Sequence, residues 1–296
     1  MRIRIGIDLG GTKIEYAVLD RNGQELDRAR RPTPSAYEPT LDALTELVRD
    51  VESNFGPASV GVGMPGTIVP STGIVKNANR QWLNGRTFLC DLCERLDREV
   101  RCANDADCLV ASEARDGAGA SCDVVFAAIL GTGCGAGVAV GGRAHSGANG
   151  VAGEWGHNAL PWPRHDEYPG PDCYCGCQGC LETWLSGPAL EADHERCEGR
   201  QGSAREIALA AAAGNPQAQA ALQRWEDRLA RGLAAIINVL DPDVIVLGGG
   251  LSNIDRIYTT LPAIIPRYVF GRECITPIRK ALHGDASGVR GAAHLW

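Results

Sequence analysis

Two stretches of this chain share one build that few folds accommodate. Ile3 to Ile7 alternates apolar residues, passes through Asp8 into Gly10-Gly11-Thr12-Lys13 and continues as a second apolar run, Ile14 to Leu19. Val124 to Leu130 does the same: it enters Gly131-Thr132-Gly133-Cys134-Gly135-Ala136-Gly137 and returns as Val138 to Val140. Short apolar runs bounded by glycine read as strands reversed by tight turns. Because each glycine turn leads into a strand, neither is the strand-to-helix turn of a dinucleotide site, and no G-x-x-x-x-G-K-[ST] occurs. The two units lie about 120 residues apart, which predicts two lobes of related build, each with its own phosphate-facing turn.

A single Gly-Gly is more simply a turn that needs glycine. Here a third cluster, Gly248-Gly249-Gly250, also follows a buried run, Val244 to Leu247. Glycine lets backbone N–H groups approach phosphate oxygens unobstructed, and Thr12 and Lys13 add donors, so three such turns favour nucleotide binding. Asp8 is placed to hold Mg²⁺ through water.

Between these turns, Leu41, Leu44, Leu47, Val48 and Val51 mark a helix stopped by Gly56-Pro57, and a strand from Ser59 ends at Met64-Pro65-Gly66. The strand Val100 to Ala103 delivers Asn104-Asp105 to the next helix. A long helix carries Leu222, Trp225, Leu229, Leu233 and Ile237. The expected lobes are 1–118 and 119–282, hinged near 117–121, with 283–296 packing back on the first.

Composition narrows the function classes. Of 296 residues, 44% are hydrophobic and 22% charged, a globular profile that excludes disorder, collagen and coiled coil. The 29 Lys and Arg against 36 Asp and Glu leave a charge of −7 without a basic stripe, so neither nucleic acid nor an anionic membrane is expected as a partner. No run approaches the roughly 18–20 apolar residues of a membrane span. The N-terminus has no signal-peptide pattern, so the twelve cysteines point to a reducing cytoplasm rather than to disulfides. Eight of them are scattered and four lie between Cys173 and Cys180.

Four motifs occur in order along essentially the whole chain: Asp8-x-Gly10-Gly11-Thr12-Lys13, Asn104-Asp105, Glu154-x-Gly156-His157, and Cys173-x-Cys175-Gly176-x-x-Gly179-Cys180-x-Glu182. Together they resemble the ROK family of bacterial sugar kinases, within the broader superfamily of sugar kinases, Hsp70 and actin. The resemblance implies an α/β, two-lobed actin-like/ribonuclease H-like ATPase fold with a cleft between the lobes. It also implies ATP, Mg²⁺ and structural Zn²⁺ as cofactors, a small-molecule sugar as substrate, and a homodimer. Gly10 to Lys13 and Gly131, Thr132 and Gly133 would face phosphates, and Gly248, Gly249 and Gly250 the adenosine.

Position alone leaves Asn104 and Asp105 balanced between helix capping and chemistry. A kinase must accept a sugar hydroxyl's proton, a task that suits a carboxylate in a closed site. The resemblance decides for Asn104 as a sugar ligand and Asp105 as the base. A helix N-terminus would hold the Asp105 pKa down, leaving it to act by geometry more than basicity.

Three close cysteines with His157 suit a closed, structural Cys₃His zinc site, although a lone histidine would more simply be structural. Cys177 lies within the same loop, and the family pattern leaves its position variable, so it is excluded. In the family, residues matching Gly66, Asn79, Glu154, His157 and Glu182 contact the sugar. The runs Lys76 to Gly85, Glu154 to Trp162 and Tyr268 to Gly271 look most like the manno(fructo)kinase branch, which implies a fructokinase phosphorylating the 6-hydroxyl, with mannose also in view. Glucokinase or N-acetylhexosamine kinase activity is the alternative within the family, and a sugar-sensing ROK regulator the alternative of another class. The first turn begins at Asp8, which leaves no room for the regulators' N-terminal helix-turn-helix. Pro163 to Asp172 departs from the family pattern.

Overall fold

The computed structural model describes residues 3–78 and 80–296. Asn79 therefore lies outside the described residues. Elements follow in chain order: β1 Ile3–Leu9, β2 Lys13–Leu19, β3 Glu25–Pro32, α1 Tyr37–Phe55, β4 Ala58–Met64, β5 Thr67–Ile68, β6 Val75–Lys76, α2 Phe88–Leu96, β7 Val100–Asn104 and α3 Asp105–Asp116. Then come β8 Val124–Leu130, β9 Cys134–Val140, β10 Arg143–Ala144, α4 Glu182–Leu185, α5 Gly187–Glu198, α6 Ala204–Ala212, α7 Pro216–Leu240, β11 Val244–Gly248, α8 Ile257–Ile264, β12 Ile278–Lys280 and α9 Ser287–Ala293.

The chain forms two compact units, one comprising 1–121, 137–152 and 282–296, the other 122–136 and 153–281. In the first, the sheet order is β3-β2-β1-β4-β7, with β1, β4 and β7 parallel and β2 antiparallel to both neighbours. The apolar stripe of α1 buries Leu41, Leu44, Leu47, Val48 and Val51 in the same core as Ile5, Ile7, Val60 and Val62. Each such side chain contributes about 2 kcal/mol relative to exposure. The other face receives α9 at backbone contact distance. A Cβ on Gly61 would stand 1.9 Å from the carbonyl oxygen of Ala292, and one on Gly291 would stand 1.7 Å from that of Cys108 in α3. Only glycine allows this approach. The buried Glu113 of α3 anchors the same segment by accepting from the N–H groups of Leu282 (3.0 Å) and His283 (3.1 Å) and from the Ser287 hydroxyl (3.2 Å).

The second sheet has the order β10-β9-β8-β11-β12, with β8, β11 and β12 parallel. Residues 137–152 belong to the first unit, whereas the sequence reading placed them in the second lobe. The cause is α3: Gly137 passes so close that a Cβ would meet the Ala106 carbonyl at 2.5 Å, and the Ser146 hydroxyl donates to Asp107 at 2.9 Å. Strand pattern alone shows where β9 runs but not which helix it lies on. In the second unit, α7 buries Leu222, Trp225, Leu229, Leu233 and Ile237. All twelve cysteines are free thiols, and no described helix is long and apolar enough to cross a membrane.

Candidate active site

In the first unit the parallel strands decide where chemistry can gather. Asp8 pairs with Gly63 across β1 and β4, and Met64 with Asn104 across β4 and β7. The glycine hairpin after β1, Gly66 after β4 and Asp105 after β7 therefore leave from one carboxyl edge, where open α/β sheets bind ligands. The hairpin is held tightly: Gly10 N–H donates to the Lys13 carbonyl at 3.0 Å, and the Thr33 hydroxyl donates to the Gly10 carbonyl at 2.8 Å. Gly66 has φ +84°, and a Cβ there would stand 2.5 Å from the Lys76 carbonyl oxygen.

Charge is concentrated at this edge. The Glu15 side chain, 3% exposed, takes ion pairs from Lys13 (3.3 Å), Arg30 (2.7 Å) and Arg28. Burial opposes its ionised form, but the Arg30 and Arg28 hydrogen bonds hold it below the usual carboxylate range. The Arg80 guanidinium donates to the Gly11 carbonyl, adding a cation beside the turn. Burial, with the Asp105 and Glu15 charges, pushes the Asp8 carboxyl up to about 6.

Asn104 is a helix cap: its side chain accepts the Asp107 N–H at 2.6 Å. Asp105, the first helical residue, accepts the Ala106 N–H through Oδ1 at 2.9 Å. Asp105 is exposed by its surface area, yet protein atoms are dense around its carboxyl. That desolvation raises its pKa despite the N–H groups of Ala106 and of Asp105 itself, which pull the other way. From sequence, the helix N-terminus is expected to hold this pKa down; the direction is instead upward, because the protein atoms packed around the carboxyl act against the helix end.

The second unit repeats the edge with different means. Gly248 pairs with Ile129, so the turn after β8 and the cluster after β11 emerge side by side. Gly249, at φ +81°, lies where a Cβ would stand 2.5 Å from the Leu130 carbonyl oxygen. A recess of about 1040 Å³ opens here, lined by Gly131, Thr132, Gly187, Gly250 and the apolar Leu251 and Ile254.

Behind the turn sits a constellation of side chains that could hold a metal ion. One ligand atom each from His157, Cys173, Cys175 and Cys180 lies within 4.8 Å of all the others. Cys173 Sγ is 3.6 Å from His157 Nδ1, and Cys175 Sγ is 3.6 Å from Cys180 Sγ. Donors on a tetrahedral zinc with bonds of about 2.0–2.3 Å stand about 3.5–3.8 Å apart, so the set fits that ion. Cys177 is outside the cluster and contributes its carbonyl, which accepts the Cys173 N–H at 2.8 Å. The N–H of Cys177 and the thiols of Cys173 and Cys180 bring the exposed Cys175 thiol down to about 7, which favours a thiolate ligand.

Glu154 and His157 bound one short turn. Between them, Trp155 is buried against Phe126 and donates from Nε1 to the Gly135 carbonyl at 3.0 Å. Glu182, in the turn after Cys180, accepts the Cys134 N–H through Oε2 at 2.9 Å. Sequence reasoning missed the buried acids. Glu167, inside the divergent 163–172 segment, binds Arg228 and Arg231 of α7 at 2.8 Å each. Burial disfavours its charge, but Arg231, the Arg164 N–H and Arg228 hold its pKa at about 2. This bolts the segment to α7, and Arg231 further donates to the Trp162 carbonyl at 2.9 Å. The regularly placed arginines of α7 were the available signal.

The sequence model of the ROK family matches residues 4–296. The N-acetyl-D-glucosamine kinases of Haemophilus influenzae and Mannheimia succiniciproducens are 40% and 41% identical to this chain over 298 residues, covering 98% of it and of each relative. Among solved structures, a ROK hexokinase from Thermus thermophilus superimposes with a TM-score of 0.87 at 33% identity, covering 99% of this chain and 97% of its own. A ROK glucokinase from Streptomyces griseus, in complex with glucose and AMPPNP, gives 0.78 at 27%, covering 99% and 98%. The mixed α/β, two-lobed actin-like fold is thus shared with these proteins.

Proposed function

This chain belongs to the ROK family, and we propose that it is an ATP-dependent sugar kinase acting on the 6-hydroxyl of N-acetyl-D-glucosamine. The observation that carries the kinase reading is the shared edge of β1, β4 and β7, which sets a crowded carboxylate, Asp105, beside a glycine hairpin rich in N–H donors and cations. The sugar follows from the relatives named above. The fructose reading drawn from Lys76 to Gly85, Glu154 to Trp162 and Tyr268 to Gly271 finds no support among them. Aromatic loop runs shape a site's walls, whereas discrimination between hexoses rests on single polar contacts of about 1–3 kcal/mol that such runs do not encode.

On this reading Asp105 takes the proton of the 6-hydroxyl as its oxygen bonds to the γ-phosphorus and ADP departs. A raised pKa makes it a better acceptor than an ordinary aspartate. Asn104, Gly66, Asn79, Glu154, His157 and Glu182 are the proposed sugar contacts. Backbone amides of Gly10 to Thr12 and of Gly131 to Gly133, with Lys13, bind phosphate oxygens, and Gly248 to Gly250 border the adenosine. Asp8 is the carboxylate that would hold Mg²⁺ through water, and the ion would offset the charge of the nucleotide's phosphates. Zinc on His157, Cys173, Cys175 and Cys180 would have no open position and a structural role.

The test is a coupled assay of kcat/KM for N-acetylglucosamine, glucose, mannose and fructose with ATP. N-acetylglucosamine should lead by at least tenfold. A lead by fructose would overturn the substrate, and no turnover with any hexose would overturn the kinase.

A further inference from the structure

We infer that Glu182 is a positioning residue for the Gly131–Cys134 turn, so that the Cys₃His knuckle governs nucleotide affinity. The inference rests on the kinase reading above, which takes this turn to bind phosphate, and it deepens the role of that site.

Four contacts tie the metal-binding loop to this one turn. Glu182, two residues beyond the ligand Cys180, accepts the Cys134 N–H at 2.9 Å. Gly187, where the same segment becomes α5, donates its N–H to the Gly131 carbonyl at 2.7 Å. The turn holding the ligand His157 lies so close that a Cβ on Gly156 would stand 1.8 Å from the Cys134 carbonyl oxygen. Beside it, Trp155 donates to the Gly135 carbonyl at 3.0 Å. Both ends of the glycine turn are thereby gripped by segments that flank the metal ligands, one just before His157 and one just after Cys180. The second of those segments runs directly into the recess wall at Gly187 and Pro188.

Two of the four residues in this turn are glycines with no side chain to fix them, so its N–H groups point consistently only if its ends are held. Glu182 holds the Cys134 end. A carboxylate accepting a backbone N–H is a charge-assisted bond, and losing it frees the donor and loosens the turn. The amide of glutamine retains an acceptor oxygen of the same reach, whereas alanine has none.

The experiment measures binding of Mg²⁺ and AMPPNP by calorimetry, without sugar, to the zinc-loaded protein. Glu182→Ala should raise the Kd about tenfold, while Glu182→Gln stays within about threefold of the wild type. Zinc content and melting temperature are measured beside each. Unchanged AMPPNP affinity in Glu182→Ala overturns the inference and leaves Glu182 as a sugar ligand alone. Failure of the wild type to bind AMPPNP would overturn the kinase reading and this one with it. A second readout needs no variant: stripping zinc should speed hydrogen exchange at the Cys134 amide and weaken AMPPNP binding together. Retention of both after stripping overturns the inference as well.

Discussion

The turns after β1 and β8 are the same local solution, strand to glycine to strand, supported in opposite ways. The first is held by charge: Lys13, Arg28 and Arg30 surround the buried Glu15, and Arg80 caps the Gly11 carbonyl. The second has no ionic side chain within Gly131 to Cys134 and is held from outside, by a backbone bond from Gly187 and by the single carboxylate of Glu182, both just past a loop suited to a metal. Chemistry and its electrostatics thus concentrate on the first unit, and geometry is imposed on the second from outside. Similar turns in one chain therefore need not respond to the same perturbation.

The largest effect should come from removing the proposed proton acceptor. Asp105→Asn should lower kcat about a thousandfold, in the range of general-base contributions, while AMPPNP binding at the second turn stays unchanged. Near-normal kcat would remove Asp105 from the chemistry and erase the contrast between the units. Next in size is Cys175→Ser, which removes one of the four proposed zinc ligands. The loss of metal should lower the melting temperature by about 5–10 °C. Hydrogen exchange should rise in 153–187 but not in the hairpin around Gly10 and Lys13; a rise in both would show that the two supports are one.

The smallest effect is the reciprocal one. Glu15→Gln leaves three cations without their acid, but Lys13 and Arg30 are about half exposed, so solvent limits the cost to about 1–2 kcal/mol. Zinc content should not change. Because Glu15 is held below its unfolded value near 4.5, its contribution is complete above that pH and is lost as pH falls through the lower folded value. Wild type and variant should therefore converge in urea stability as pH falls below about 4, and a constant gap would show that Glu15 acts by packing alone.

The strands, both glycine turns and the placement of Asn104-Asp105 were legible because each has a local cause: alternation, glycine, a cap residue before a helix. The grouping of His157 with Cys173, Cys175 and Cys180 was legible from type and spacing. What the sequence concealed depends on partners that only folding brings alongside. Glu15 reads as an ordinary strand residue until Arg28 and Arg30 are folded against it, and Glu167 reads as part of a polar loop until α7 supplies Arg228 and Arg231. The raised pKa of Asp105 belongs to the same class, since sequence shows the helix end that lowers it and not the crowding that raises it.

The close seating of α9 has a consequence for synthesis. The first sheet is complete in its strands by Asn104, yet one of its faces waits for residues 287–293, and Trp296 still has to donate its indole N–H to the Val60 carbonyl at 2.9 Å. A ribosome making this chain from its N-terminus delivers 153–281 in full before that face can be covered. The unit begun first is therefore the last to close, and until then its glycine-lined face stays uncovered while the rest of the chain is made.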